Sequence, residues 1–163
     1  MKLDKKLEDV LNKQVNEELY AWYLYLSAAM YFESKNFKGF AAWMGQHASE
    51  EMSHAKKIMD YINERGGNVI LKQISEPKTE WKSILEVFED AYTHELEVTK
   101  MFYKLNAVAD SEKDITTKVF LQWFLTEQVE EEEITNELVE KVKMAGNNMS
   151  ILLMLDAKIG EKK

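Results

Sequence analysis

Apolar residues return every three or four positions along most of the chain, and the stripes they draw predict four long helices and one short one. The first runs from about 4 to 33 through Leu7, Leu11, Glu18, Tyr25 and Phe32. The second spans about 38 to 65 through Phe40, Met44, His47, Glu51, His54 and Ile58, with Gly66 and Gly67 as its stop. A third, about 80 to 109, carries Ile84, Phe88, Ala91, Glu95, Val98 and Phe102. The fourth, about 114 to 145, carries Phe120, Phe124, Ile134, Leu138 and Val142 and stops at Gly146. A last apolar segment, MSILLMLDAKIG, predicts a fifth helix over about 149 to 159, with Asn147, Asn148 or Ser150 as its cap. Short joints around Asn36 and around Asp110 to Lys113 make helices one and two, and three and four, antiparallel neighbours. The connection through Pro77 is long enough, at roughly 3.3 Å per extended residue, to carry the chain back along a helix. The expectation is an all-α, single-domain chain over 1–163: a four-helix bundle with one long crossover and a short fifth C-terminal helix.

Every long stripe is interrupted by an acid: Glu18, Glu51, Glu95 and Glu131. Each lies about 14 to 17 residues into its helix, or roughly 20 Å at ~1.5 Å per residue, so the four meet at one height. In the fourth helix the interruption falls within EQVEEEE, residues 127 to 133, where the apolar spacing places Glu127 and Glu131 on one face. Such a run is ordinarily a solvated helix surface. Carboxylates gathered out of water instead cost several kcal/mol each unless cations compensate them. His54 follows Glu51 by three residues, so a carboxylate and an imidazole project to the same side of one turn. Glu-x-x-His with glutamates from facing helices is the ligand set of di-metal bundles. The fourth helix has Gln128 and Glu131 at the equivalent spacing and lacks the imidazole. Oxygen-rich ligands with one imidazole favour iron or manganese over structural zinc.

Composition narrows the chemistry. Acids outnumber bases, 29 to 21, for a net charge of −8. That balance speaks against nucleic acid and anionic membranes and suits cations. With no Cys there is no disulfide, no thiolate nucleophile and no iron–sulfur centre. The N-terminal stretch MKLDKKLEDVLNK lacks the apolar core of a signal peptide. The longest nearly apolar run, at 19 to 32, falls short of the ~20 residues that span a bilayer. The expected location is the cytoplasm. The first helix also presents Tyr20, Tyr23, Leu24 and Tyr31 outside its core stripe, which predicts self-association.

NEELYAWYLY, HASEEMSHAKK, YTHELEVT and LQWFLTEQVEEEE occur in order and at family-like intervals, and over nearly its full length the chain resembles the non-haem bacterial ferritins, in the ferritin-like di-iron family. The resemblance implies an iron-storage protein with an intrachain ferroxidase centre. Glu18, Glu51 and His54 would surround one iron. Glu51, Glu95 and Glu131 would surround its neighbour, with Glu51 bridging and Gln128 close by. A third iron position would be built from Glu50, Glu127, Glu130 and Glu131, and Tyr25 and Trp123 match aromatic residues beside such centres. Ferrous iron would be oxidised by dioxygen or peroxide, and hydrated ferric oxide would collect inside a shell of twenty-four chains.

Two related readings stand beside it. A haem-binding bacterioferritin would use a Met within the Glu-x-x-His turn, where Met52 stands, but such relatives carry a second Glu-x-x-His that is absent here, so haem is not expected. A rubrerythrin-like di-iron peroxidase usually carries a cysteine-ligated module, which this chain lacks. His47 reads as a core histidine, His94 as lying off the core face, and Glu132 and Glu133 as ordinary surface.

Overall fold

A computed structural model describes residues 2–161 and, among them, five helices and no strand. Met1, Lys162 and Lys163, which the expected domain over 1–163 includes, lie outside the described residues. Each helix begins where a short polar side chain accepts from its first turn, with one exception. Asp4 caps α1 (Lys5–Ser34) by accepting from Lys6 N at 2.8 Å. Asp114 caps α4 (Ile115–Ala145) and Asn148 caps α5 (Met149–Gly160) in the same way. In α3 (Ile84–Ser111), Ser83 accepts from Glu86 N, and the Glu86 carboxylate reaches back to Lys82 N. That cap moves the start of α3 four residues later than the apolar pattern implied, from about 80 to Ile84.

The exception is α2 (Lys38–Glu64). Phe37, at its N-cap position, has no side-chain oxygen to offer. The Phe40 N–H donates instead to Asp156 Oδ1 on α5 at 2.7 Å, so the fifth helix caps the second. The approach is close: a Cβ on Gly39 would stand 1.8 Å from the Asp156 carbonyl oxygen, and one on Gly160 would stand 2.9 Å from the Gly39 Cα.

α1 packs along α2 and against α3, α3 packs along α4, and α5 packs mainly on α2. α2 and α4 meet through side chains instead: the Tyr61 and Phe120 rings stack with 3.8 Å between centroids, and Arg65 bridges to Asp114 at 2.7 Å. The crossover from α2 to α3 runs along α1 and is strapped to it. Asn12 donates to Asn68 O at 2.9 Å and accepts from Ile70 N at 2.7 Å. Further along, Ser27 donates to Lys78 O and Tyr31 to Trp81 O. Part of the apolar surface expected on α1 is therefore covered within the chain, while Tyr23 and Met30 stay exposed.

The apolar core is in two halves. One gathers Phe32, Phe40, Met44, Phe88, Leu138 and Leu152. The other gathers Leu7, Leu11, Ile58, Phe102, Leu121 and Phe124. A polar layer separates them. Among the described residues no helix is long and apolar enough to cross a membrane.

Candidate metal centre

The layer forms because each long helix places a polar residue inward at the same height. On α4 the buried heptad stripe is Thr117, Leu121, Phe124, Gln128, Glu131, Thr135, Leu138 and Val142. This corrects the face drawn from sequence. Gln128 accompanies Glu131 inward, Glu127 sits half-buried at the edge, and Ile134 is exposed. Phe120 is half-buried and Ile134 exposed, so a face centred on them lies to one side of the buried stripe.

Glu18 and Glu95 are fully buried, and Glu51, His54, Gln128 and Glu131 are nearly so. His54 Nδ1 lies 3.3 Å from Glu51 Oε2 and 3.6 Å from Glu18 Oε2. Ligand atoms of Glu18, Glu51 and His54 all fall within 4.8 Å of one another. Around them, Gln14 donates to Glu18 Oε1 at 2.6 Å, and Tyr25 donates to Glu95 Oε1 at 2.5 Å. Gln128 Nε2 donates to Glu95 Oε2 at 3.2 Å. The second oxygens of Glu18 and Glu131 are buried with no hydrogen-bond partner among the described residues.

The electrostatics match this crowding. Burial pushes the Glu51 carboxyl well above the usual range, and the Glu18 and Glu95 carboxylates add to the rise while His54 opposes it. Burial alone would lower the His54 imidazole, but the Glu18 and Glu51 carboxylates beside it raise it to about 10. The Tyr25 hydroxyl is driven up by burial and by the charges of Glu95 and Glu51. In the metal-free protein the imidazolium therefore offsets part of the negative charge. A cation would take over that role and also satisfy the unpartnered carboxylate oxygens. Carboxylates with one imidazole and no thiolate fit iron as a bound substrate.

Glu131 does not join the tight group of Glu18, Glu51 and His54. Its Oε2 turns toward His47 Nε2, 3.6 Å away. Glu50, Glu127 and Glu130 lie apart from the layer, along a groove of about 500 Å³ between α2 and α4 that His47, His54 and Glu131 also line. Within that groove Glu50 accepts from Gln46 at 3.0 Å, and the imidazole of His47 holds its carboxyl below the usual range.

Three residues of the site escaped sequence reasoning. Gln14 stands one turn before Glu18, a spacing that could have suggested the bond. Thr99, one turn after Glu95, lies 3.3 Å from Gln128 Nε2 and donates to Glu132 at 2.6 Å, so Glu132 is not mere surface. His47 reads as an ordinary core histidine, yet neither ring nitrogen has hydrogen-bond geometry to any partner among the described residues. Trp123 stands edge-on to His54, with 5.4 Å between ring centroids, and Lys57 Nζ lies 4.1 Å over its indole. His94 packs edge-on against Tyr20 and Tyr25. Met52 is partly exposed on α2.

Residues 8–145 match the family profile described as Ferritin-like domain. A bacterial non-heme ferritin of Staphylococcus saprophyticus is 41% identical over 160 residues, covering 98% of this chain and 96% of the relative. Its counterpart in Staphylococcus aureus is 38% identical over the same span. An open-pore ferritin from the hyperthermophilic archaeon Archaeoglobus fulgidus superposes with a TM-score of 0.97 at 44% identity, covering 99% of both chains.

Proposed function

The chain belongs to the ferritin-like domain family, and from that premise we propose that it is an iron-storage ferritin whose polar layer oxidises ferrous iron. The observation that carries the reading is the layer itself: carboxylates from all four long helices and one imidazole, buried between two apolar half-cores, with carboxylate oxygens left unpartnered.

Glu18, Glu51 and His54 hold one ferrous ion. Glu51, Glu95 and Glu131 hold its neighbour, with Gln128 fixing the far side of Glu95. Two ferrous ions held there would together supply two electrons, enough with two protons to reduce dioxygen to hydrogen peroxide or hydrogen peroxide to water, and the carboxylates would stabilise the higher charge of the ferric product. Tyr25, through its hydroxyl on Glu95 Oε1, orients that carboxylate. Glu51 sheds any proton that its raised pKa retains when a cation arrives. Ferric product then leaves through the α2–α4 groove, past the acids Glu50, Glu127 and Glu130, and collects as hydrated oxide.

Storage requires an enclosure, so the chain self-associates, into twenty-four copies by family likeness. Exposed Met30 on α1 and exposed Leu71 on the crossover that lies along α1 supply apolar surface for that contact. Ferrous iron is to be added anaerobically to metal-free protein and air then admitted, with ferric absorbance and particle mass followed together. The expected result is a large particle that oxidises iron faster than buffer and keeps it in solution. A monomer or dimer that oxidises no faster than buffer would overturn the reading. Glu51→Ala is expected to remove the fast phase while the particle still assembles.

A further inference from the structure

A hydroxyl within a helix ordinarily donates to the carbonyl four residues back. Ser49, Ser53, Thr126 and Thr135 all do so here. Thr99, buried on α3, does not. Its hydroxyl donates across to Glu132 Oε1 on α4 at 2.6 Å, and the carbonyl it forgoes, Glu95 O, accepts from Gln128 Nε2 at 3.3 Å. The same nitrogen reaches Glu95 Oε2 at 3.2 Å and Thr99 Oγ1 at 3.3 Å. A hydroxyl carries one proton, so with that proton held by Glu132, Thr99 can only accept from Gln128.

The run of bonds from Glu132 through Thr99 to Gln128 and Glu95 therefore decides which way the Gln128 amide is turned. With its two ends exchanged, the amide oxygen would meet three acceptors, Glu95 O, Glu95 Oε2 and Thr99 Oγ1, and no donor. The nitrogen is thus pinned to α3, and the oxygen is the end left over. That difference matters to a cation, which an amide oxygen attracts and an amide NH2 repels. Glu132 is half-buried and, among the described residues, belongs to neither group of acids and histidines close enough to share an ion. Its carboxylate acts on the layer only through Thr99.

We propose that Thr99 and Glu132 are positioning residues of the polar layer: Glu132 holds the Thr99 proton, Thr99 and Glu95 hold the Gln128 nitrogen, and the Gln128 oxygen is left to face a cation bound beside Glu95. Without Glu132 the Thr99 proton would turn to Glu95 O or to Gln128 and compete for the bonds that orient the amide. The proposal deepens the reading above, since it takes the layer to hold cations.

Cobalt(II) tests it without redox chemistry. Metal-free wild type, Thr99→Val, Thr99→Ser, Glu132→Ala and Glu133→Ala are to be titrated with cobalt and followed by visible absorbance, which reports both occupancy and coordination. Thr99→Val and Glu132→Ala are each expected to bind one of the ions roughly 10-fold more weakly, with altered bands. Thr99→Ser, which keeps the hydroxyl, and Glu133→Ala, which removes a neighbouring exposed charge, are expected to match wild type. Wild-type titration of Glu132→Ala, equal weakening in Glu133→Ala, or failure of Thr99→Ser to restore binding would each overturn the proposal. Should Thr99→Val fail to fold, Glu132→Ala, at the half-buried edge, decides alone. Iron oxidation by wild type is measured in parallel. Cobalt binding that depends on Glu132, with iron oxidised no faster than in buffer, would leave the positioning role standing and remove the ferroxidase reading. Fast oxidation with cobalt binding indifferent to Glu132 would do the reverse.

Discussion

Burial lifts the Glu131 carboxyl from its ordinary 4.5 to about 7; the His47 imidazole opposes the rise, and the Glu95 and Glu50 carboxylates add to it. A carboxyl whose folded pKa is raised favours the folded state below its unfolded value, and that advantage is lost as pH climbs through the folded value. In the metal-free protein the loss falls between about 4.5 and 7, and its size is on the order of 3 kcal/mol. His54 runs in the same direction over a higher window: its pKa is raised from 6.5 to about 10, so its stabilisation is complete below 6.5 and fades through 10. Calorimetric midpoints of metal-free protein are therefore expected to fall as pH rises across both windows, and Glu131→Gln to flatten the lower one. Zinc is expected to raise the midpoint more at pH 8 than at pH 5, because binding displaces these protons. A zinc increment independent of pH would contradict the assignment. The four acids at one height were legible in the sequence because stripe spacing and antiparallel pairing are both periodic properties. The idle nitrogens of His47 were not, since a hydrogen bond that is missing depends on where Trp43, Glu50 and Glu131 end up in space.

At the scale of the element, the starts of α1, α4 and α5, each capped by a polar side chain just before it, could be read ahead of the structure, whereas the cap of α2 could not. Its N-terminal N–H groups look orphaned along the chain because Phe37 offers no acceptor, and the acceptor is Asp156, 116 residues from Phe40. Asp156→Ala is expected to lower stability by roughly 1 to 2 kcal/mol, as loss of an N-cap does, and to release the amides of α5 to hydrogen exchange. Unchanged protection of α5 would show that its apolar contacts alone secure it. Gly39→Ala is expected to be more damaging than a helix-interior Gly→Ala change, which ordinarily helps. Its new methyl would meet the backbone of α5 rather than a side chain that could turn aside. The start of α3 was misjudged for a related reason. Trp81 continues the apolar pattern but packs from the crossover, and the hydroxyl of Ser83 decides where the helix begins.

The described residues form two apolar half-cores joined by a layer whose carboxylates are only partly compensated, by the His54 imidazole. Metal binding is therefore expected to raise the unfolding midpoint of wild type strongly and that of Glu51→Ala only weakly. A midpoint insensitive to metal in both would argue against a shared buried cluster. Association is expected to depend on the outward side of α1: Met30→Glu with Leu71→Glu should reduce particle mass in sedimentation while leaving helix content intact. The path of the crossover along α1 was not legible beforehand, because the bonds from Asn12 that hold it link distant positions. The seam between α2 and α4 has a last consequence. The groove that Glu50, Glu127 and Glu130 line is walled by α2 and α4, which are held to each other by the Tyr61–Phe120 stack and the Arg65–Asp114 ion pair. A seam made of side chains can part by a change of rotamer with no helix having to move, so this stretch of the wall is where a small ion is expected to pass with the least backbone motion.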